Sequence, residues 1–303
     1  MMPESPIANS IDLDLVRRNT ERIARSVGVP VIAVVKSDAY GLGARRVAEA
    51  IADLVAGFCV FSLAEANAAK LWEVTKNPTI CLYSGPDQTA EDFLAARTRP
   101  AVWTEMQAMR LKPARPVLAV DLGMQRFACP LPDVERVLAA GECDEAFTHA
   151  TTVEQARQLY DLLGNRGIRL HAAGSSLLQE PAARLDAVRP GIALLRGAAR
   201  VSARLIETRD SNRPAGYSGF LAPRFGIILC GYGRGLRVGP CIVNGQRRRI
   251  LEVGMQTAYV EIGPNDRAGD EVVLLGDGLT EKEIAAAWRT SEHEALVRLA
   301  RLG

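Results

Sequence analysis

The chain has 303 residues, 48% hydrophobic and 24% charged, with 37 Lys and Arg against 35 Asp and Glu for a net charge of +2. That is enough for one large α/β domain or a large domain with a smaller one, and the balanced charge offers no field for nucleic acid or an anionic membrane. No apolar stretch approaches the ~20 residues of a membrane helix, no signal peptide opens the chain, and the six cysteines form no C-x-x-C pair, so a cytoplasmic protein with reduced thiols and no metal is expected.

From residue 30 to about 197, short β-rich runs alternate with segments of helical period. The runs are VIAVVK, FCVF (58–61), TICLYS (79–84), PAVWT (100–104), PVLAVD (116–121), EAFTH (145–149), IRLHAA (168–173) and AVRPGIALL (187–195). Amphipathic stretches such as ARRVAEAIADLV and TVEQARQLYDLLG lie between them. Continuous apolar runs separated by helices suggest parallel strands buried on both faces. Eight is the number that closes a (β/α)8 TIM-like barrel. The fourth and eighth runs carry Pro at or inside them.

After residue 200 the texture changes. SARLIETRD, FGIILCGYG, CIVNGQRRRILEVG, QTAYVEIG and DEVVLLGDG are strand-like runs punctuated by glycine. Asn244-Gly245 is a hairpin signal, and Gln246-Arg247-Arg248-Arg249 reads as a solvated hairpin edge. The tail, TEKEIAAAW and EHEALVRLARL, has helical character. The expected plan is α/β: a (β/α)8 barrel over residues 11–200, then a smaller, mainly β domain over 201–303, with residues 1–10 packing against the latter.

Barrel chemistry gathers where strands end. Lys36, Asp121, His149, His171, Ser175 and Arg189 all fall at or near such ends. A partly desolvated lysine has a lowered pKa and serves as an amine nucleophile. Taken singly, Lys36 reads as a snorkelling strand-end lysine and each histidine as a satisfied core residue. Their convergence on one mouth points to a site without naming a reaction.

The stretch AVVKSDAYGLG resembles the AVVKANAYGHG signature of the alanine racemases, fold-type III enzymes that use pyridoxal 5'-phosphate. The resemblance runs in order through IDLDLVRRNTERI, AVDLGMQRFA, FTHATTVEQA, LHAAGSSLLQEP, VRPGIALLRG, CGYGRGLRVG and EVGMQTAYVEIG. It implies a barrel followed by a β domain. It also implies that Lys36 binds the cofactor covalently, with His149 in the same cofactor-binding wall. Tyr40, Ser175 and the amides of Gly191 and Ile192 would bind its phosphate. Arg189 would face the pyridine nitrogen with His171 behind it, and Arg126 would lie near the cofactor's phenolic oxygen and the substrate carboxylate. Because an arginine practically never gives up its proton, the ring stays a weak electron sink, favouring proton return over transamination. Racemisation needs an acid–base group on each face of a planar intermediate. Lys36 and Tyr232 match that pair, the tyrosine coming in the family from the partner subunit of a head-to-tail homodimer. Met255 matches a backbone donor to the substrate carboxylate.

The departures cluster on the partner-side wall. Gln256 replaces an Asp, Arg234 and Leu236 replace an Asp and an aromatic, and His293 takes the place of a tyrosine at the substrate entrance. On the barrel, Asp38 replaces Asn, Leu42 replaces His, Ala119 stands where many members carry Lys, and Gly174 replaces Asn. An arginine beside Tyr232 is expected to make that pocket more positive, lowering the phenol's pKa or binding a polar substrate side chain. The resemblance therefore implies an amino-acid racemase with a small-molecule substrate, alanine by default, with serine or a non-standard amino acid as alternatives. Another fold-type III reaction (decarboxylation or aldol cleavage) and a non-catalytic cofactor-binding homologue are the competing readings.

Overall fold

The computed structural model describes residues 7–302. It divides into two compact units, one of residues 13–39 and 43–195, the other of residues up to 12, 40–42 and from 196 onward.

Strand β1 (Ile7–Ile11) belongs to the second unit. The first unit is built on β2 (Ile32–Val34), β3 (Gly57–Val60), β4 (Thr79–Cys81), β5 (Thr98–Val102), β6 (Val117–Ala119), β7 (Glu145–Ala150) and β8 (Arg169–Ala173). These seven strands pair in sequence order, all parallel. Helices follow strands because the loops end in N-capping hydroxyls. Ser62, Thr89, Thr104 and Thr152 each accept a backbone N–H of the first helical turn. Ile32, Val34, Ile80, Val117 and Phe147 fill the interior of the ring.

The eighth run departs from expectation. It forms only single bridges, Ala187 with His171 and Val188 with Val31. Backbone bonds from Ile32 N–H to the Val188 carbonyl (2.9 Å) and from Val34 N–H to the Pro190 carbonyl (2.8 Å) still close the ring. Pro190 has no N–H to continue a ladder, and residues Ile192–Leu195, expected as strand, turn instead into a short helix.

The second unit contains β9 (Ala199–Asp210), β10 (Arg224–Ile228), β11 (Pro240–Val243), β12 (Gln246–Val253), β13 (Ala258–Glu261) and β14 (Glu271–Leu275). They pair antiparallel in the order β9-β10-β13-β12-β11-β14, and β14 returns to β9, so this sheet closes on itself. The long β9 also takes β1. Closure leaves the ring from β9 to β14 without a free end, and among the described residues β1 remains as an edge strand. Asn244 (φ 48°) and Gly245 (φ 74°) make the expected two-residue hairpin between β11 and β12. Helices Glu281–Trp288 and Glu292–Ala300 end the chain. Among the described residues no helix is long and apolar enough to cross a membrane.

Candidate active site

Lys36 leaves the sheet where β2 stops: Val35 still donates its N–H to the Cys59 carbonyl at 2.9 Å. The chain then winds left-handed. Ser37, Asp38, Ala39 and Tyr40 have φ of 54°, 56°, 49° and 60°, and Gly41 of 88°. Each L-residue in that conformation costs about 1–2 kcal/mol. Two carboxylates hold it, one from outside the turn and one from within it. Glu65 accepts the Ser37 N–H at 2.9 Å and the Phe61 N–H at 2.8 Å. Asp38 accepts the Ala44 N–H at 2.7 Å. That bond explains an acid at position 38, since helix Ala44–Ile51 starts on Gly43, which has no side chain to cap it. The result is a fixed amine. Burial holds Lys36 below the ordinary lysine range, and the Arg126 and Arg189 guanidiniums push it the same way. Burial also lifts the neighbouring Cys59 thiol to about 11, so it is neutral near pH 7.

Arg189 is buried. Its Nη2 donates to the Thr148 carbonyl at 2.6 Å, and its Cζ lies 4.3 Å from the centre of the Phe147 ring. Its Nε has no hydrogen-bond partner among the described residues. His171 is stacked on Phe147, with ring centroids 5.5 Å apart and 6° between planes. Its Nε2 lies 3.0 Å from Glu145 Oε1, and its Nδ1 is unpartnered among the described residues. Burial brings His171 down to about 4 despite the carboxylate beside it. Burial would raise Glu145, but the bond to His171 and the charges of Arg99 and Arg169 outweigh it and bring the acid to about 2. At neutral pH the pair is therefore an ionised Glu and a neutral His. Sequence reasoning missed Glu145. The one available signal was a charge opening an otherwise apolar run, EAFTH.

Ser175 Oγ accepts the N–H groups of Gly191 (3.1 Å) and Ala193 (3.2 Å), so a hydroxyl stands where the amides at the start of Ile192–Leu195 converge. Arg126 sits on a loop built by Asp121, whose Oδ1 accepts the N–H of Gly123 at 2.9 Å and of Gln125 at 3.0 Å. Asp121, gathered with the strand-end residues, is thus the builder of this loop. Lys36, Arg126, His149 and Arg189 line one cleft together with Phe61 and Phe127. Those two rings belong to a shelf with Tyr83 and Trp103, each at a strand end or in the Arg126 loop, with centroids 5.2–6.3 Å apart. Nothing in a linear reading groups these four.

In the second unit, β10 ends at Ile228, and the run expected to continue as strand breaks into the turn Tyr232–Arg234. Tyr232 donates its N–H to the Gly254 carbonyl at 2.8 Å and Gly233 to the Met255 carbonyl at 3.0 Å. Tyr232 and Met255, both exposed, are thereby brought side by side, with the exposed Gln256 next along the turn. Arg234, in the same turn as Tyr232, donates from Nη1 to the Leu302 carbonyl at 2.7 Å. Leu236 is buried. The Tyr40 ring lies 5.8 Å from that of His293, inclined at 45°.

A desolvated amine flanked by two guanidiniums at the C-terminal mouth of a parallel barrel is the plan of a lysine-dependent barrel enzyme. Two family models divide the chain between them: "Alanine racemase, N-terminal domain" over residues 11–198 and "Alanine racemase, C-terminal domain" over 206–302. The alanine racemase of Neisseria meningitidis serogroup A is 28% identical, over 98% of this chain and 97% of its own. The biosynthetic alanine racemase of Pseudomonas aeruginosa superposes with a TM-score of 0.86 at 26% identity, over 97% of each chain. The alanine racemase of Bartonella henselae, solved with covalently bound pyridoxal phosphate, has the same fold, with a TM-score of 0.84 at 22% identity over 97% of each chain. The chain belongs to the alanine racemase family.

Proposed function

We propose that the protein is a pyridoxal 5'-phosphate-dependent amino-acid racemase that interconverts L- and D-enantiomers, alanine its default substrate, with Lys36 and Tyr232 as the two acid–base groups. The donor set suits the cofactor: an amine of lowered pKa for its aldehyde, the Ser175 hydroxyl and neighbouring amides for its phosphate. Arg189, with an unpartnered Nε, suits its ring nitrogen. The observation that carries the reading is a permanent cation at that last place, buried beneath the lysine's cleft, rather than an acid.

When bound, the cofactor withdraws electrons from the substrate α-carbon and acidifies its proton. Lys36 takes or returns that proton on one face. Arg189 would face the ring nitrogen as a donor that keeps its own proton, a placement that would favour return of the proton to carbon over transamination. Arg126 orients the substrate carboxylate. Tyr232, supplied by the partner subunit of a homodimer, serves the other face. Its exposure supports this role, because 56% of its surface is open within its own chain. The six cysteines are buried free thiols, which supports a reducing compartment, the cytoplasm.

The test is proton NMR in D2O on the protein with added pyridoxal 5'-phosphate, following the α-proton across L- and D-amino acids. Exchange from both enantiomers, with conversion and a sharp loss in Tyr232→Phe, is expected. Substrate consumed with its α-proton retained would replace racemisation by another reaction.

A further inference from the structure

Four aromatic rings stand at the mouth of the barrel, and the proposed chemistry uses none of them. Phe61 follows β3, Tyr83 lies just beyond β4, Trp103 follows β5, and Phe127 sits in the Arg126 loop. Phe61 and Tyr83 stack, with centroids 5.7 Å apart and 5° between planes, and Trp103 continues the stack at 6.3 Å and 27°. Phe127 stands edge-on against it, 5.2 Å from Tyr83 at 65°. Phe61 and Phe127 stay 36% and 41% exposed. A contiguous apolar patch left open in this way marks a place where something binds.

The shelf is held in register with the groups that would grip an amino acid. One carboxylate, Glu65, takes the N–H of Phe61 at 2.8 Å and the N–H of Ser37, next to Lys36, at 2.9 Å. Phe127 adjoins Arg126 in the chain, on a loop pinned at its base by Asp121 N–H to the Cys129 carbonyl (2.9 Å) and Cys129 N–H to the Ala119 carbonyl (2.6 Å). Phe127 has φ 48°, a conformation unfavourable to an L-residue. The pinned loop maintains that strain, and with it a ring on the wall of the cleft. Apart from Lys36, Arg126, Arg189 and His149, every described side chain lining the cleft is apolar. No carboxylate is among them, so a basic substrate side chain finds no partner there.

An α-amino acid offers three substituents beside its α-proton. In the proposed reaction the amine goes to the cofactor and the carboxylate to Arg126, which leaves the side chain to the apolar wall. A methyl group ends one bond from the α-carbon and covers little of that wall. An isobutyl or benzyl group reaches further and packs on an exposed ring. We propose that Phe61 and Phe127 form a side-chain subsite that makes the enzyme prefer amino acids with a large apolar side chain, such as phenylalanine or leucine, over alanine. This rests on the racemase reading and narrows its substrate; alanine remains one, with the lower kcat/KM. Phe61 and Phe127 determine specificity and move no proton.

The test is α-proton exchange on the cofactor-loaded protein, carried to kcat/KM for alanine, leucine and phenylalanine. The value for phenylalanine should exceed that for alanine at least about tenfold. Phe61→Ala and Phe127→Ala should each lower the phenylalanine-to-alanine ratio at least about tenfold, through a raised KM for phenylalanine. Phe127→Leu, which keeps apolar bulk without the ring, should fall between. Both rings are more than a third exposed, so truncation opens no sealed cavity. Binding is read separately from Trp103 emission, identified by its loss in Trp103→Phe: phenylalanine should change it saturably, and alanine at the same concentration much less. Alanine preferred over both larger amino acids, or a ratio unmoved in both Ala variants, overturns the subsite. An unmoved ratio together with a dimer weakened by sedimentation would make the shelf an interface between two copies instead. Absence of exchange from every amino acid would sink the racemase reading, and the Trp103 titration would still decide whether the shelf takes an apolar side chain.

Discussion

Single residues carry the site's chemistry through burial, and burial has a sign. Glu145 is held at about 2 against an ordinary 4.5, and His171 at about 4 against 6.5. For both, the folded state binds fewer protons than the unfolded one between the two values, so both contribute stability above the unfolded pKa and lose it as pH falls. Stability to thermal melting should therefore fall progressively from about pH 6.5 toward pH 2, by several kcal/mol in all. His171→Gln should flatten the upper part of that decline; a melting temperature constant down to pH 4 would contradict it. The same residues show what was readable in advance. Lys36, Arg189, Ser175 and Tyr232 were visible because a charge or hydroxyl beside a strand end, in a recognisable motif, is a local feature. Glu145, Glu65 and the shelf of Phe61, Tyr83, Trp103 and Phe127 were not, since their partners lie on other strands.

Short elements decide where those residues point. The left-handed turn after β2 sets the Lys36 amine, and it stands only while Glu65 and Asp38 hold its ends. Asp38→Ala removes the acceptor of the Ala44 N–H and should destabilise the protein by about 1 kcal/mol, read by chemical denaturation. A loss below the measurement error would mean the turn holds itself. The Tyr232 turn is tighter still. A Cβ on Gly231 would lie 2.3 Å from the carbonyl oxygens of both Gly254 and Met255. Gly231→Ala must push the two segments apart, so activity should fall at least about a hundredfold, with cofactor capture by Lys36 unchanged. Equal loss of cofactor capture would show a global rather than local defect. Strands and helices were mostly legible from period and capping residues. The eighth run was misread because its composition is strand-like, while Pro190 and the Ser175 hydroxyl divert its backbone bonds.

At the scale of the whole molecule, each unit closes its own sheet, and each exposes apolar surface where the proposed chemistry lies. Phe61 and Phe127 are 36% and 41% exposed at the barrel mouth, Tyr232 and Met255 56% and 59% in the second unit. If two copies pair head to tail, Lys36→Ala and Tyr232→Phe each inactivate both sites of a homodimer. Co-expressed, the two variants should regain roughly a quarter of wild-type activity, because half the dimers are mixed and each mixed dimer has one intact site. No recovery, with mixed dimers present by mass, would place both groups of a site in one chain.

The sequence by itself determined the two-part plan and most of the order of strands and helices, and it put a lysine at the end of the first barrel strand, because these follow from local period, turn chemistry and ordered motifs. Tertiary structure alone decided that Arg234 bonds the Leu302 carbonyl, that Asp121 builds a loop, and that a carboxylate lies beneath His171. Hydrogen-bond partners brought together from distant strands have no fixed spacing in a chain. Only a closed barrel sets the distances at which they meet.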